Sequence, residues 1–70
     1  MKKIEISLQL YDEELEATIN EEEKERYLAA ADYVTQKYNA YAQAYNGKKS
    51  DHTISLMAML DIALNPMPDK

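Results

Sequence analysis

The sequence predicts an α+β fold: an N-terminal antiparallel β-hairpin, a long helix and a second, apolar helix, completed by dimerisation. Three observations predict it. Apolar residues alternate through residues 4–19 with the period of two that suits strands wetted on one face only. From Tyr27 to Tyr45 they recur at spacings of three and four, the mark of a helix with one buried stripe. The stretch from Ser50 to Asn65 is apolar on almost every side, with only Ser55 and Asp61 clearly polar beyond its first turn. Such a helix has to be enclosed by protein from several directions. A chain of 70 residues does this poorly, because small domains bury only about 60% of their unfolded surface. Part of the last helix is therefore expected to be covered by a second copy of the chain.

Taken in order, Ile4, Ile6, Leu8 and Leu10 alternate with Glu5, Ser7 and Gln9, and Leu15, Ala17 and Ile19 alternate with Glu14, Glu16 and Thr18. This predicts a hairpin over about residues 3–19, dry on one face and wet on the other. The connection Tyr11-Asp12-Glu13 lacks glycine, which predicts a loop longer than the tight two-residue types. Asn20 is a candidate N-cap, with Glu23 placed to complete a capping box and Glu21 to Glu23 favouring the positive end of the helix dipole.

The helix so begun is expected over about residues 21–46, closing where Gly47 supplies a left-handed conformation. Its stripe is Tyr27, Ala31, Val34, Tyr38, Tyr41 and Tyr45, widened by Leu28, Ala30 and Ala42, with Tyr33 off the line. Tyrosine buries a ring while its hydroxyl stays at a wet edge, so these rings read as packing residues. Gly47-Lys48-Lys49 forms a short basic loop into a helix over about residues 51–65, capped by Ser50 or Asp51 and stopped by Asn65-Pro66. So short a connection packs the two helices antiparallel or steeply crossed.

On the second helix Ile54, Met57, Leu60 (or Asp61) and Leu64 form one stripe, and Leu56, Met59, Ile62 and Ala63 form others. The expected core is Ile4, Ile6, Leu8, Leu10, Leu15, Ile19, Leu28, Ala31, Val34, Tyr38, Ile54, Met57 and Leu64. The expected face toward a partner copy is Leu56, Met59, Leu60, Ile62 and Ala63. Residues 1–65 read as one domain and residues 66–70, with both prolines, as a disordered tail.

Composition narrows the function. Thirteen acidic against eight basic side chains give a net charge of −5, which repels phosphate backbones and argues against nucleic acid. With no cysteine, disulfides and thiolate metal sites are excluded. No apolar run approaches the roughly 20 residues of a membrane span, and Met-Lys-Lys-Ile-Glu lacks a signal peptide's apolar centre. A cytoplasmic location is the expectation. Glu21, Glu22 and Glu23 point in different directions around a helix, and His52 has no second histidine nearby, so no metal ligand is assigned. His52 and Ser55 lie three apart without an orienting carboxylate or oxyanion donors, and no phosphate-cradling glycine loop is present. No catalytic residue, cofactor or metal is expected, and the chain reads as an interaction module rather than an enzyme.

With these elements in place, the sequence resembles the ZapA family of bacterial division proteins over about Lys3 to Leu64. The resemblance is carried by the paired strands, by Tyr27-Leu-Ala-Ala-Ala31 with Val34, Lys37, Asn39, Tyr41 and Tyr45, and by Ile54, Met57, Leu60 and Leu64. It implies a head domain over residues 1–65 and a non-enzymatic homodimer that binds the division polymer FtsZ and bridges or bundles its filaments at the division site. Family members extend the last helix into a coiled coil, whereas Pro66 and Pro68 stop it here, so a dimer rather than a tetramer is expected. The basic filament-contacting positions of the family head fall where this chain carries Asp12, Glu13, Glu14 and Glu16, and no residue is assigned to filament contact. The alternative from another class is a small dimeric transcriptional antitoxin of ribbon-helix-helix type. That fold has one strand rather than two, and its strand carries basic or amide side chains to bases.

Overall fold

The computed structural model describes residues 2–68. Strand β1 (Lys3–Leu10) pairs antiparallel with β2 (Glu13–Asn20), and after a 3-10 turn (Glu21–Glu23) come helix α1 (Lys24–Ala44) and helix α2 (Asp51–Leu64). Helix α1 packs on β1, and α2 packs on α1. This is the α+β order expected, and its paired strands leave the ribbon-helix-helix alternative without structural support.

The strand register follows the alternation. Ile4 faces Ile19, Ile6 faces Ala17 and Leu8 faces Leu15, so the apolar side chains of both strands share one side of the sheet. The hairpin loop differs from expectation. Leu10 pairs directly with Glu13, leaving a two-residue loop of Tyr11 and Asp12. Tyr11 takes φ 60°, and it is the only non-glycine residue described with a positive value. That conformation suits glycine, and a tyrosine holds it only where its surroundings compensate. Here the Tyr11 amide donates to Thr35 Oγ1 on α1 at 2.8 Å, and its ring stacks on Tyr38 at 4.0 Å between centroids.

This arrangement inverts a common order. Tyr11→Ala forfeits the ring stack and keeps the left-handed strain, whereas Tyr11→Gly forfeits the stack alone. Tyr11→Gly should therefore be the more stable of the two by about 1 kcal/mol in urea unfolding. The usual advantage of alanine over glycine at this position would contradict the turn geometry.

At the start of α1, Asn20 is extended but makes no side-chain capping bond, so the expected capping box is absent and a 3-10 turn precedes the α-helix. Tight i to i+3 bonding is a common way for a helix to satisfy its first amides. At the other end Tyr45 N–H donates to Tyr41 at 3.0 Å, and Gly47 adopts φ +72° as the loop reverses. Ser50 caps α2, its Oγ accepting from Thr53 N–H at 3.2 Å. Helix α2 ends at Leu64, before Asn65-Pro66.

Leu8, Ile19, Ala31, Ile54 and Ala58 are buried. Ile4, Ile6, Leu10, Val34, Tyr38 and Met57 are half-buried. Three expected core residues are not core in the single chain: Leu15 is 45% exposed, Leu28 43% and Leu64 72%. The reason is geometric. Helix α1 lies along β1, so Leu15 on β2 is left largely uncovered. The fold is elongated, 46 × 25 × 14 Å along its principal axes. Helix α1 has neighbours in both β1 and α2, whereas α2 is covered chiefly by α1. Beyond α2, residues 66–68 have no regular secondary structure, and Met67 lies half-buried beside Glu23, Arg26, Tyr27 and Ala30. The rest of the expected tail, residues 69–70, falls outside the described residues.

Candidate functional site

The site is helix α2, which has a side fastened to α1 and a side left bare. With about 100° between successive residues, Ile54, Met57, Ala58 and Asp61 occupy one arc, and Leu56, Met59, Leu60 and Ala63 occupy the opposite one. Ile54 and Ala58 are each only 3% exposed. On the other arc Leu56 is 48% exposed, Met59 57% and Leu60 63%, and Ala63 is exposed as well. Leu64, the last residue of α2, lies between Met57 and Leu60 around the helix and is exposed at its end. Four of the five residues expected to meet a partner copy thus fall together on one open apolar surface. The fifth, Ile62, is half-buried at its margin.

Periodicity left Leu60 and Asp61 as alternatives for the stripe against α1, and the structure selects Asp61. Tyr41 Oη donates to Asp61 Oδ2 at 2.7 Å, Lys37 Nζ pairs with Oδ1 at 3.0 Å, and Asn65 Nδ2 donates to Oδ1 at 3.2 Å. Tyr33 Oη donates to the Asn65 carbonyl at 2.5 Å, so the ring expected off the stripe fastens the C-terminal end of α2. Lys37 Nζ also stands 5.3 Å from the centre of the Tyr33 ring. A shallow cleft of about 210 Å³, lined by Tyr41, Met57, Leu60, Asp61, Leu64 and Asn65, runs beside the cluster.

The electrostatics follow from these contacts. The Tyr41 hydroxyl, then Lys37 and Asn65, hold the Asp61 carboxyl below its ordinary value against the opposing effect of burial. Hydrogen bonding to Asp61 raises both Lys37 and Tyr41. Because Asp61 binds its proton less tightly when folded, its contribution is complete above about pH 3.9 and is lost as pH falls through the lower folded value. Lys37, raised when folded, contributes fully below about pH 10.4 and loses that contribution as pH rises through its higher folded value. Asp61→Asn should therefore flatten both the acid and the alkaline edges of a plot of melting temperature against pH. Edges identical to those of the unaltered chain would contradict the cluster.

Among the described residues no group of three or more His, Cys, Asp or Glu is placed to hold a metal, and no helix is long and apolar enough to cross a membrane. His52 lies near Leu10, Tyr11, Asp12 and Glu13 across an open cleft. Its neighbour Ser55 spends its hydroxyl on the His52 carbonyl at 2.7 Å, a bond within its own helix.

A protein-family model described as "Cell division protein ZapA" matches residues 6–65, from β1 to the residue after α2. The chain belongs to the ZapA family. That family consists of non-enzymatic cell division proteins associated with FtsZ. The match spans the hairpin and both helices, so the ZapA assignment rests on the whole arrangement rather than on one motif. No significant match to a curated protein or to a solved structure was found.

Proposed function

We propose that the protein is a homodimeric, non-enzymatic division accessory that works in the cytoplasm at the division site, binding FtsZ and stabilising the association of its filaments. Its dimer interface is centred on Leu56, Met59, Leu60 and Ala63, with Ile62 at the edge.

The observation that carries this reading is the surplus of surface. The single chain exposes 5536 Å², whereas a compact monomer of 8.1 kDa exposes roughly 4,500 Å². The difference is of the order of the roughly 800 Å² that each partner contributes to a standard interface. Its radius of gyration, 13.7 Å, likewise exceeds the roughly 11 Å of a compact chain of this length. Large apolar side chains of α2 supply much of that surface, and a second copy offers the same apolar chemistry in return.

A two-fold dimer presents each of its outer surfaces twice. Two identical weak sites on one rigid body raise the effective concentration of the second filament once the first is bound, which gives cross-linking without a strong single contact. Light scattering over a dilution series should give twice the chain mass at high concentration, and sedimentation with purified FtsZ should show filaments pelleting in larger bundles. A folded dimer that leaves FtsZ pelleting unchanged at every ratio would refute the filament role.

A further inference from the structure

Helix α2 poses a problem of orientation. Its bare arc of Leu56, Met59, Leu60 and Ala63 is as apolar as its packed arc of Ile54, Met57 and Ala58. Hydrophobic burial is non-directional, so it alone does not decide which arc faces α1. Ser55 marks no side, since its hydroxyl is satisfied within the helix. Beyond the first turn, Asp61 is the one charged side chain of α2, and it meets two polar groups of α1, Tyr41 and Lys37.

We propose that Asp61 is a positioning residue that sets the rotation of α2 on α1, and through it the surface offered to a second copy. Turning the helix by one residue, about 100°, brings Leu60 or Ile62 to the seam and carries the carboxylate away from it. Lys37 Nζ and Tyr41 Oη then face apolar atoms, and Asp61 loses both partners. Lys37 and Asp61 are only 26% and 18% exposed at their side chains, so giving up these partly shielded contacts disfavours the turned arrangements. A lone polar residue in an apolar seam selects among packings in the same way when it fixes the register of a coiled coil. The groups facing Asp61 are Lys37 and Tyr41 from α1 and Asn65 from the end of its own helix, with Tyr33 and Tyr45 acting on the first two.

The consequence for assembly rests on the homodimer reading, but the rotation itself is testable without it. The chain has no cysteine, so Met57→Cys and Ala58→Cys, at opposite edges of the packed arc, report rotation by their rates of maleimide labelling: a turn that brings Leu60 to the seam uncovers position 58, and one that brings Ile62 there uncovers position 57. With Asp61 in place each variant should label at least about tenfold more slowly than in urea, because labelling then requires local opening. Adding Asp61→Leu should bring labelling of one of the two to within about threefold of the unfolded rate while far-UV circular dichroism retains the helical signal. The exchange Lys37→Asp with Asp61→Lys should restore protection, which a purely space-filling role would not do. Equal protection of both cysteines with aspartate and leucine at position 61 overturns the proposal, as does failure of the exchange to restore it. Should Asp61→Leu lose its helical signal, Asp61→Asn takes its place with the same expected and overturning results. A chain that stays monomeric at every concentration overturns the homodimer reading and leaves the labelling of Met57→Cys and Ala58→Cys to decide this one.

Discussion

Ile54→Ala should remove about half of the stability of the fold. Ile54 is 3% exposed and, with Leu8 and Ile19, is one of three large side chains among the five buried hydrophobic residues described; the others are Ala31 and Ala58. Truncating a buried isoleucine to alanine costs about 2–5 kcal/mol through lost transfer energy and the cavity left behind. Domains are stable by only roughly 0.05–0.15 kcal/mol per residue, or about 3.5–10.5 kcal/mol for a chain of 70 residues, so that loss is about half of the total. Ile54→Val, which removes one methylene, should cost only about 0.5–1.5 kcal/mol. Both are measured by urea unfolding followed by far-UV circular dichroism at one fixed protein concentration, because a dimer's apparent stability depends on concentration. An Ile54→Ala chain that unfolds at the same urea concentration as its parent would place the core elsewhere.

The hairpin, the long helix and the apolar helix were all legible in the residue pattern, because each depends on periodicity along a short stretch. What was not legible depended on contacts between stretches. The two-residue loop at Tyr11 breaks the local rule that asks for glycine, and its support comes from Thr35 and Tyr38, both more than 20 positions away. Leu15 and Leu28 carry the right pattern for burial, but nothing in that pattern says that α1 lies over β1. The tie between Leu60 and Asp61 had a signal that went unused. Lys37 and Tyr41 lie four apart on α1, one stacked above the other on a helix face, and Asp61 is the only acid on α2 past its first turn. Pairing the lone acid with that two-residue polar step would have selected Asp61 for the seam and placed Leu60 outside. The exposed apolar arc of α2 was legible for a simpler reason: a helix apolar on every side has more greasy surface than one neighbouring helix covers.

Leu60→Asp is expected to separate association from folding. In the single chain Leu60 is 63% exposed, and exposed substitutions of this kind usually change stability by no more than about 0.5 kcal/mol. In the proposed two-fold dimer the same position would be buried in both copies. Each copy then brings an aspartate with no cation to meet it, and an uncompensated buried charge costs about 3–5 kcal/mol. At 1.4 kcal/mol per factor of ten, even one such penalty weakens the dimer by roughly 100-fold or more. Light scattering across a dilution series should therefore show the monomer mass at concentrations where the parent is dimeric, while far-UV circular dichroism keeps the helical signal. The same variant should lose FtsZ bundling while each chain retains its weak single contact with a filament, because cross-linking requires two sites on one body. Leu60→Asp that dimerises like its parent would move the interface off this arc, toward the other uncovered apolar side chains, Leu15 and Leu28. Loss of the helical signal would instead show that Leu60 lies in the core, against its exposure.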